Sequence, residues 1–177
     1  DYQDLAASNV KALGPENGKS ELQPLLRDDP TNWRSQNGSA ETRETIRRFY
    51  TVDMNPYDAA ALFWWARMQL YFEQRLDQNP DVLLSRYEDL VTDPARTMRR
   101  TYAFLGRPYP GDHIVQDVNP QSVGKGRMTK LSPAVDELCA SMLTRLDRLN
   151  LAAVTTLDAQ IAAATGTLPA EEGIYAR

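Results

Sequence analysis

The sequence predicts a helix-rich chain with at most one clear strand. Three observations lead there. Apolar residues recur at helical spacing in several stretches, most of them opened by a capping residue. One short apolar run, Val82–Tyr87, has the character of a covered strand. Segments rich in Pro, Gly and Asn separate these elements. One strand does not make a sheet, so the residues leave two architectures open: an all-α chain with one extended connector, or part of an α/β domain whose other strands lie upstream.

In chain order, Leu5–Leu13 reads as a short helix stopped by Gly14-Pro15. Residues 14–38 are dense in Gly, Pro, Asn, Asp and Ser and read as a long loop. Ser39 caps a helix to about Tyr50. Asn55-Pro56 opens the next, to about Asp77, with Ala61, Trp65, Met68, Phe72 and Leu76 on one stripe. Trp64 and Tyr71 widen that stripe, so this helix is expected to be buried on more than one side. After Asn79-Pro80 comes the strand Val82–Tyr87, then a turn, Glu88–Thr92. Asp93-Pro94 starts a helix with Met98, Tyr102 and Leu105 facing the core, ended by Gly106. Residues 107–131 are irregular. Ser132-Pro133 caps a last helix carrying Val135, Leu138, Met142, Leu146 and Leu149. Its pattern weakens from Thr155, so residues 1–154 are expected to form the folded part and 155–177 a weakly ordered tail.

Composition narrows the function classes. Of 177 residues, 42% are apolar and 25% charged, an ordinary globular balance. A net charge of −4 argues against a nucleic-acid partner. The single cysteine, Cys139, excludes an intrachain disulfide, and the single histidine, His113, excludes a zinc site built on several His. There is no apolar run of transmembrane length and no signal-peptide pattern at Asp1–Asp4, so a cytoplasmic location is expected. A start without Met points to a chain cut from something longer.

Three places could carry chemistry. Tyr87 ends the strand, where ligands of α/β sheets bind, and its ring can lie on a nucleobase; the plainer reading is an aromatic that only packs. Gly124-Lys125-Gly126-Arg127 combines glycines that let backbone N–H groups approach an anion with cations that neutralise it; the plainer reading is a polar surface turn. Ser8 offers a hydroxyl on the first helix, or simply faces solvent. Glu88 and Asp89 are neighbours whose side chains point apart, unsuited to paired acid/base work. Trp64-Trp65 on so apolar a helix are more readily core than a sugar platform. His113 and Cys139 read as a surface or gap-filling residue and a packing residue.

The run Arg86-Tyr87-Glu88-Asp89-Leu90-Val91-Thr92-Asp93-Pro94-Ala95-Arg96, followed by Phe104-Leu105-Gly106, resembles a segment of the sulfotransferases that use 3′-phosphoadenosine 5′-phosphosulfate (PAPS). Asp1-Tyr2-Gln3-Asp4-Leu5-Ala6-Ala7-Ser8 is similar to that family's 3′-phosphate segment, with its Arg falling before residue 1. Gly124-Lys125-Gly126-Arg127 resembles its late Arg-Lys-Gly loop, with Gly124 in place of the Arg and the following Gly-x-Trp missing. The resemblance covers about residues 1–150 and looks most like bacterial members.

What the resemblance implies is specific. The fold would be α/β, the helix-rich C-terminal part of a P-loop-like sulfotransferase whose parallel strands lie partly upstream. The reaction would move a sulfuryl group from PAPS, as co-substrate and without a metal, to a hydroxyl or amine of a small-molecule, carbohydrate or lipid acceptor. Tyr87 would contact the adenine, and Ser8, Lys125, Gly126 and Arg127 the 3′-phosphate. The 5′-phosphosulfate loop and the catalytic base would lie before Asp1, leaving the catalytic residues unassigned and the chain inactive alone, with homo-oligomer formation open. The alternatives are a P-loop kinase-like nucleotide binder and a non-catalytic helical interaction module.

Overall fold

Residues 1–121, 123–126 and 128–165 are described in a computed structural model of the chain. Among them the regular structure is entirely helical. They divide into two units, one built from Asp1–Val82 and Pro120–Asp147, the other from Leu83–Asn119 and the described residues from Arg148 on.

The first unit is organised around α5 (Pro56–Glu73). Asn55 caps it, its side-chain oxygen accepting from the N–H groups of Tyr57 and Asp58. Four helices pack on it: α1 (Tyr2–Leu13), α2 (Asn17–Leu26), α3 (Trp33–Asn37) and α4 (Ala40–Phe49). Ala59, Ala60 and Ala61 are fully buried, and their small side chains let neighbouring backbones come close. Leu62, Phe63, Trp64, Trp65, Leu70 and Phe72 are buried around the same helix, so α5 is covered on more than one side, as its sequence predicts. Each large apolar side chain buried in this way contributes about 1.5–3 kcal/mol. The burial of Trp64 and Trp65 makes them core residues and removes them as a sugar platform. Helix α5 stops at Glu73, short of the expected Asp77, because Arg75 turns into the left-handed region at φ 55°.

Residues 14–38, expected to be a loop, contain α2 and α3. Two leucines explain the difference. Leu22 and Leu25 are completely buried, and Gly18 lets α2 lie directly on the backbone of α5. This packing outweighs the poor helix propensity of Gly, Ser and Pro. Pro24 is accommodated in the last turn of α2. Asn32 caps α3 by accepting from the N–H of Arg34. Ser39 caps α4 as expected, accepting from the N–H of Thr42.

The second unit holds α6 (Tyr87–Thr92), α7 (Pro94–Phe104) and the later part of α8 (Pro133–Thr165). Val82–Arg86 has no regular secondary structure and no ladder partner among the described residues, and Tyr87 begins a helix where a strand end and turn are expected. The parallel sheet implied by the resemblance is therefore not seen among the described residues. A short apolar run fits an extended connector as well as a strand. Here Leu83 and Leu84 line a small cavity with Thr97 of α7 and with Val154 and Leu157 of α8. Asp93 caps α7, and Gly106, at φ 62°, follows its end. The buried residue of α7 is Thr97; Met98 and Tyr102 are half-buried, and Leu105, expected in the core, is exposed. Arg96 and Arg100 of α7 both bind Asp158 of α8, Arg100 through two hydrogen bonds of 2.7 Å.

Helix α8 buries Val135, Cys139, Met142 and Leu146 in the first unit. It continues as helix past Thr155 to Thr165; the part of the expected tail from residue 166 on lies outside the described residues.

Candidate functional site

The segment from Pro120 to Asp136 lies on the first unit and is held there by three carboxylates. Asp1 caps α1 and accepts from the N–H groups of Gln3 and Asp4, setting the helix start. Asp4 then sits in the first turn, where a negative charge is favoured by the helix dipole. Its carboxylate accepts from the backbone N–H of Gly124 at 2.7 Å and from that of Gly126. Asp58, in the first turn of α5, accepts from the N–H of Ser132 at 2.8 Å. Asp136, in the first turn of α8, accepts from the Tyr2 hydroxyl at 2.7 Å and the Gln3 amide at 3.3 Å.

Gly126 is where the loop touches α1. A Cβ there would overlap the carbonyl group of Gln3 and the amide nitrogen of Asp4, so only glycine allows this approach. Gly124 adopts φ 79°, also a glycine conformation. Between the two glycines, Lys125 is turned out to solvent. It borders an open depression together with Ala7 of α1, Asn55 and Tyr57 at the start of α5, and Thr129 and Lys130.

The structure thus brings together two of the three segments singled out in the sequence. Ser8 is exposed on α1, one turn after Asp4, which places it on the same side of the helix. Lys125 is exposed and Gly126 buried on the loop that Asp4 holds. Arg127 lies outside the described residues. Tyr87 is exposed at the start of α6 and belongs to the second unit.

One expectation about the loop changes. The N–H groups of Gly124 and Gly126, expected to face a bound anion, face Asp4. The donors left to the depression are side chains, above all the ammonium groups of Lys125 and Lys130.

His113 is exposed in the short turn Asp112–Val115, in keeping with a surface role. The Cys139 thiol is fully buried and donates weakly to the Ala61 carbonyl. Burial, and then the charges of Asp136 and Asp58, push it up to about 12, far from a nucleophilic thiolate.

Sequence reasoning missed Asp4, Asp58, Asp136 and Lys130. Asp58 and Asp136 carry a local signal, each being an acid in the first turn after an x-Pro start. Asp4 lies within the segment that resembles the family's 3′-phosphate segment, but nothing local marks its partners, which are 120 and 122 residues away. Among the described residues no group of His, Cys, Asp and Glu is placed to hold a metal ion, and no helix is long and apolar enough to cross a membrane.

The family model described as the sulfotransferase domain matches residues 37–137, which include Tyr87, Lys125 and Gly126 and lie after Ser8. No curated protein and no solved structure matches the chain.

Proposed function

Since this chain belongs to the sulfotransferase domain family, we propose that it serves transfer of a sulfuryl group from PAPS to a hydroxyl or amine of a small-molecule, carbohydrate or lipid acceptor. Its described residues supply the hold on the nucleotide's 3′-phosphate. The observation that carries this reading is the Gly124–Lys125–Gly126 loop, docked on the first turn of α1 so that Lys125 stands out beside an open depression. The residues around that depression fit a phosphate: two ammonium groups, at Lys125 and Lys130, supply charge without needing the loop's backbone.

In this reading Lys125 neutralises the 3′-phosphate and the Ser8 hydroxyl donates to one of its oxygens. Gly126 acts by letting the loop lie on α1, and Arg127 adds a second cation to the loop. When bound, PAPS supplies the activated sulfuryl group. Holding its nucleotide end fixes the direction from which the acceptor oxygen must approach, so the protein's contribution is chiefly positioning and charge stabilisation.

Calorimetric titration with adenosine 3′,5′-bisphosphate and with 5′-AMP tests the reading. The bisphosphate should bind at least tenfold tighter, and Lys125→Ala should weaken it by about 1–3 kcal/mol, the range for a hydrogen bond to a charged group. Equal affinity for the two nucleotides would overturn the assignment of this site to the 3′-phosphate.

A further inference from the structure

We infer that Asp4 is a positioning residue: its carboxylate fixes the Gly124–Lys125–Gly126 loop on α1 and so determines where Lys125 meets an anion. The inference rests on the reading of the depression as a 3′-phosphate site, and it adds a residue that touches no ligand.

Three observations carry it. The two backbone N–H groups that flank Lys125 both donate to Asp4, Gly124 to one carboxylate oxygen and Gly126 to the other. The carboxylate ties the Val123–Gly124 and Lys125–Gly126 peptide planes to one anchor and so restrains the residue between them. The contact is tight on the other side as well, since a Cβ at Gly126 would overlap the Gln3 carbonyl. Finally, Lys125 itself makes no hydrogen bond or ion pair among those described, while its loop is held on both sides. The chain thus spends a charged group on holding the loop and leaves the lysine's charge outward.

The chemistry explains why an acid is needed. Without the acid, the glycine N–H groups of this loop would be open to any anion that arrives, and a phosphate would bind them directly. With Asp4 occupying them, an incoming phosphate meets Lys125, not the backbone. The negative charge of Asp4 also disfavours an anion settling deeper in the loop. Asp4 therefore selects the outward, lysine-mediated mode of binding.

Amide hydrogen exchange and nucleotide titration of the chain test this together, on the wild type, Asp4→Asn, Asp4→Ala and Gly126→Ala. In Asp4→Ala, exchange at Gly124 and Gly126 should quicken at least tenfold, while the amides of α5 keep their protection. The preference for adenosine 3′,5′-bisphosphate over 5′-AMP should fall at least fivefold, with 5′-AMP affinity unmoved, a split that general loosening of the fold would not produce. Asp4→Asn, which keeps the shape and one acceptor oxygen, should lie between. Gly126→Ala should show the same loss, and the double variant should be no worse than either single one, because both break one contact. Unchanged exchange at the two glycines in Asp4→Ala, or fully additive losses, would overturn the inference. If exchange quickens but the wild type shows no 3′-phosphate preference, Asp4 still positions the loop and the reading of the depression is what fails.

Discussion

A Cβ added to Gly18 would stand 2.6 Å from the amide nitrogen of Ala60 and 2.7 Å from the carbonyl carbon of Ala59. Helices α2 and α5 touch backbone to backbone at this point. Two effects oppose each other in Gly18→Ala. Alanine gains up to about 1 kcal/mol of helix propensity, whereas overpacking against atoms that cannot rotate away costs about 1–3 kcal/mol. The clash is with main chain, so the second effect wins. Urea denaturation should show a net loss of about 1–2 kcal/mol. A variant as stable as the wild type would mean that α2 can shift off α5 without loss.

Asp158 answers to pH. Hydrogen bonds from Arg100, then from Arg96, hold its carboxyl below the ordinary range, against the opposing pull of burial. A carboxylate whose folded pKa is depressed stabilises the fold above its unfolded value, and that stabilisation disappears as pH falls through the folded one. Asp158→Asn should thus lower stability at pH 7 by about 1 kcal/mol, the upper range for a partly exposed pair. The gap between variant and wild type should close as pH falls below the ordinary Asp value of about 3.9. Melting curves from pH 7 to pH 2 measure this; a gap that persists at pH 2 would assign the loss to something other than the charge.

Cys139 should be chemically silent in the folded protein. Its thiol is fully buried and its pKa is pushed up to about 12. Iodoacetamide at pH 8 should label it only as fast as the first unit opens, and stoichiometrically in guanidinium. Labelling of the native chain at the rate of a free thiol would show that α8 does not stay seated on α5.

Tyr2 donates to Asp136 at 2.7 Å, and burial, followed by that carboxylate, raises its phenol above the ordinary value. The folded state then favours the neutral phenol, so its contribution is whole at neutral pH and is lost as pH rises past about 10. Tyr2→Phe should cost about 1 kcal/mol at pH 7 by thermal melting, with the difference from wild type shrinking above pH 10. Loss of the same size at every pH would point to ring packing alone.

Helix boundaries set by caps were legible in the sequence because capping is local. Ser39 and the Asn55-Pro56 and Asp93-Pro94 pairs act as their residue types predict. What depends on distant partners was not. Helix α2 formed within residues 14–38 because Leu22 and Leu25 found α5, and Val82–Arg86 stayed a connector without a pairing strand among the described residues. The candidate site divides in the same way. Lys125 and Gly126 were marked by their own neighbours, while Asp4 became visible only once the fold had brought two remote segments together. The three carboxylates in first turns of helices show the same limit, since each suits its helix start locally but binds across the chain.

The first unit is discontinuous in the chain, which makes its assembly depend on synthesis order. Its stretches, Asp1–Val82 and Pro120–Asp147, are joined by ties such as Tyr2 to Asp136, 134 residues apart, and Cys139 to Ala61, 78 apart. Long closures of this kind carry an entropic cost and slow folding. The 65 residues from Leu83 to Asp147 must be made after the first stretch is complete. At roughly 5–20 residues per second, that takes about 3–13 s. Throughout that interval the Ala61 surface of α5 lacks the helix that will cover it. A nascent chain caught there presents an apolar face to its neighbours on the polysome, so yield should depend on translation speed through residues 83–147 more than on the stability of the finished protein.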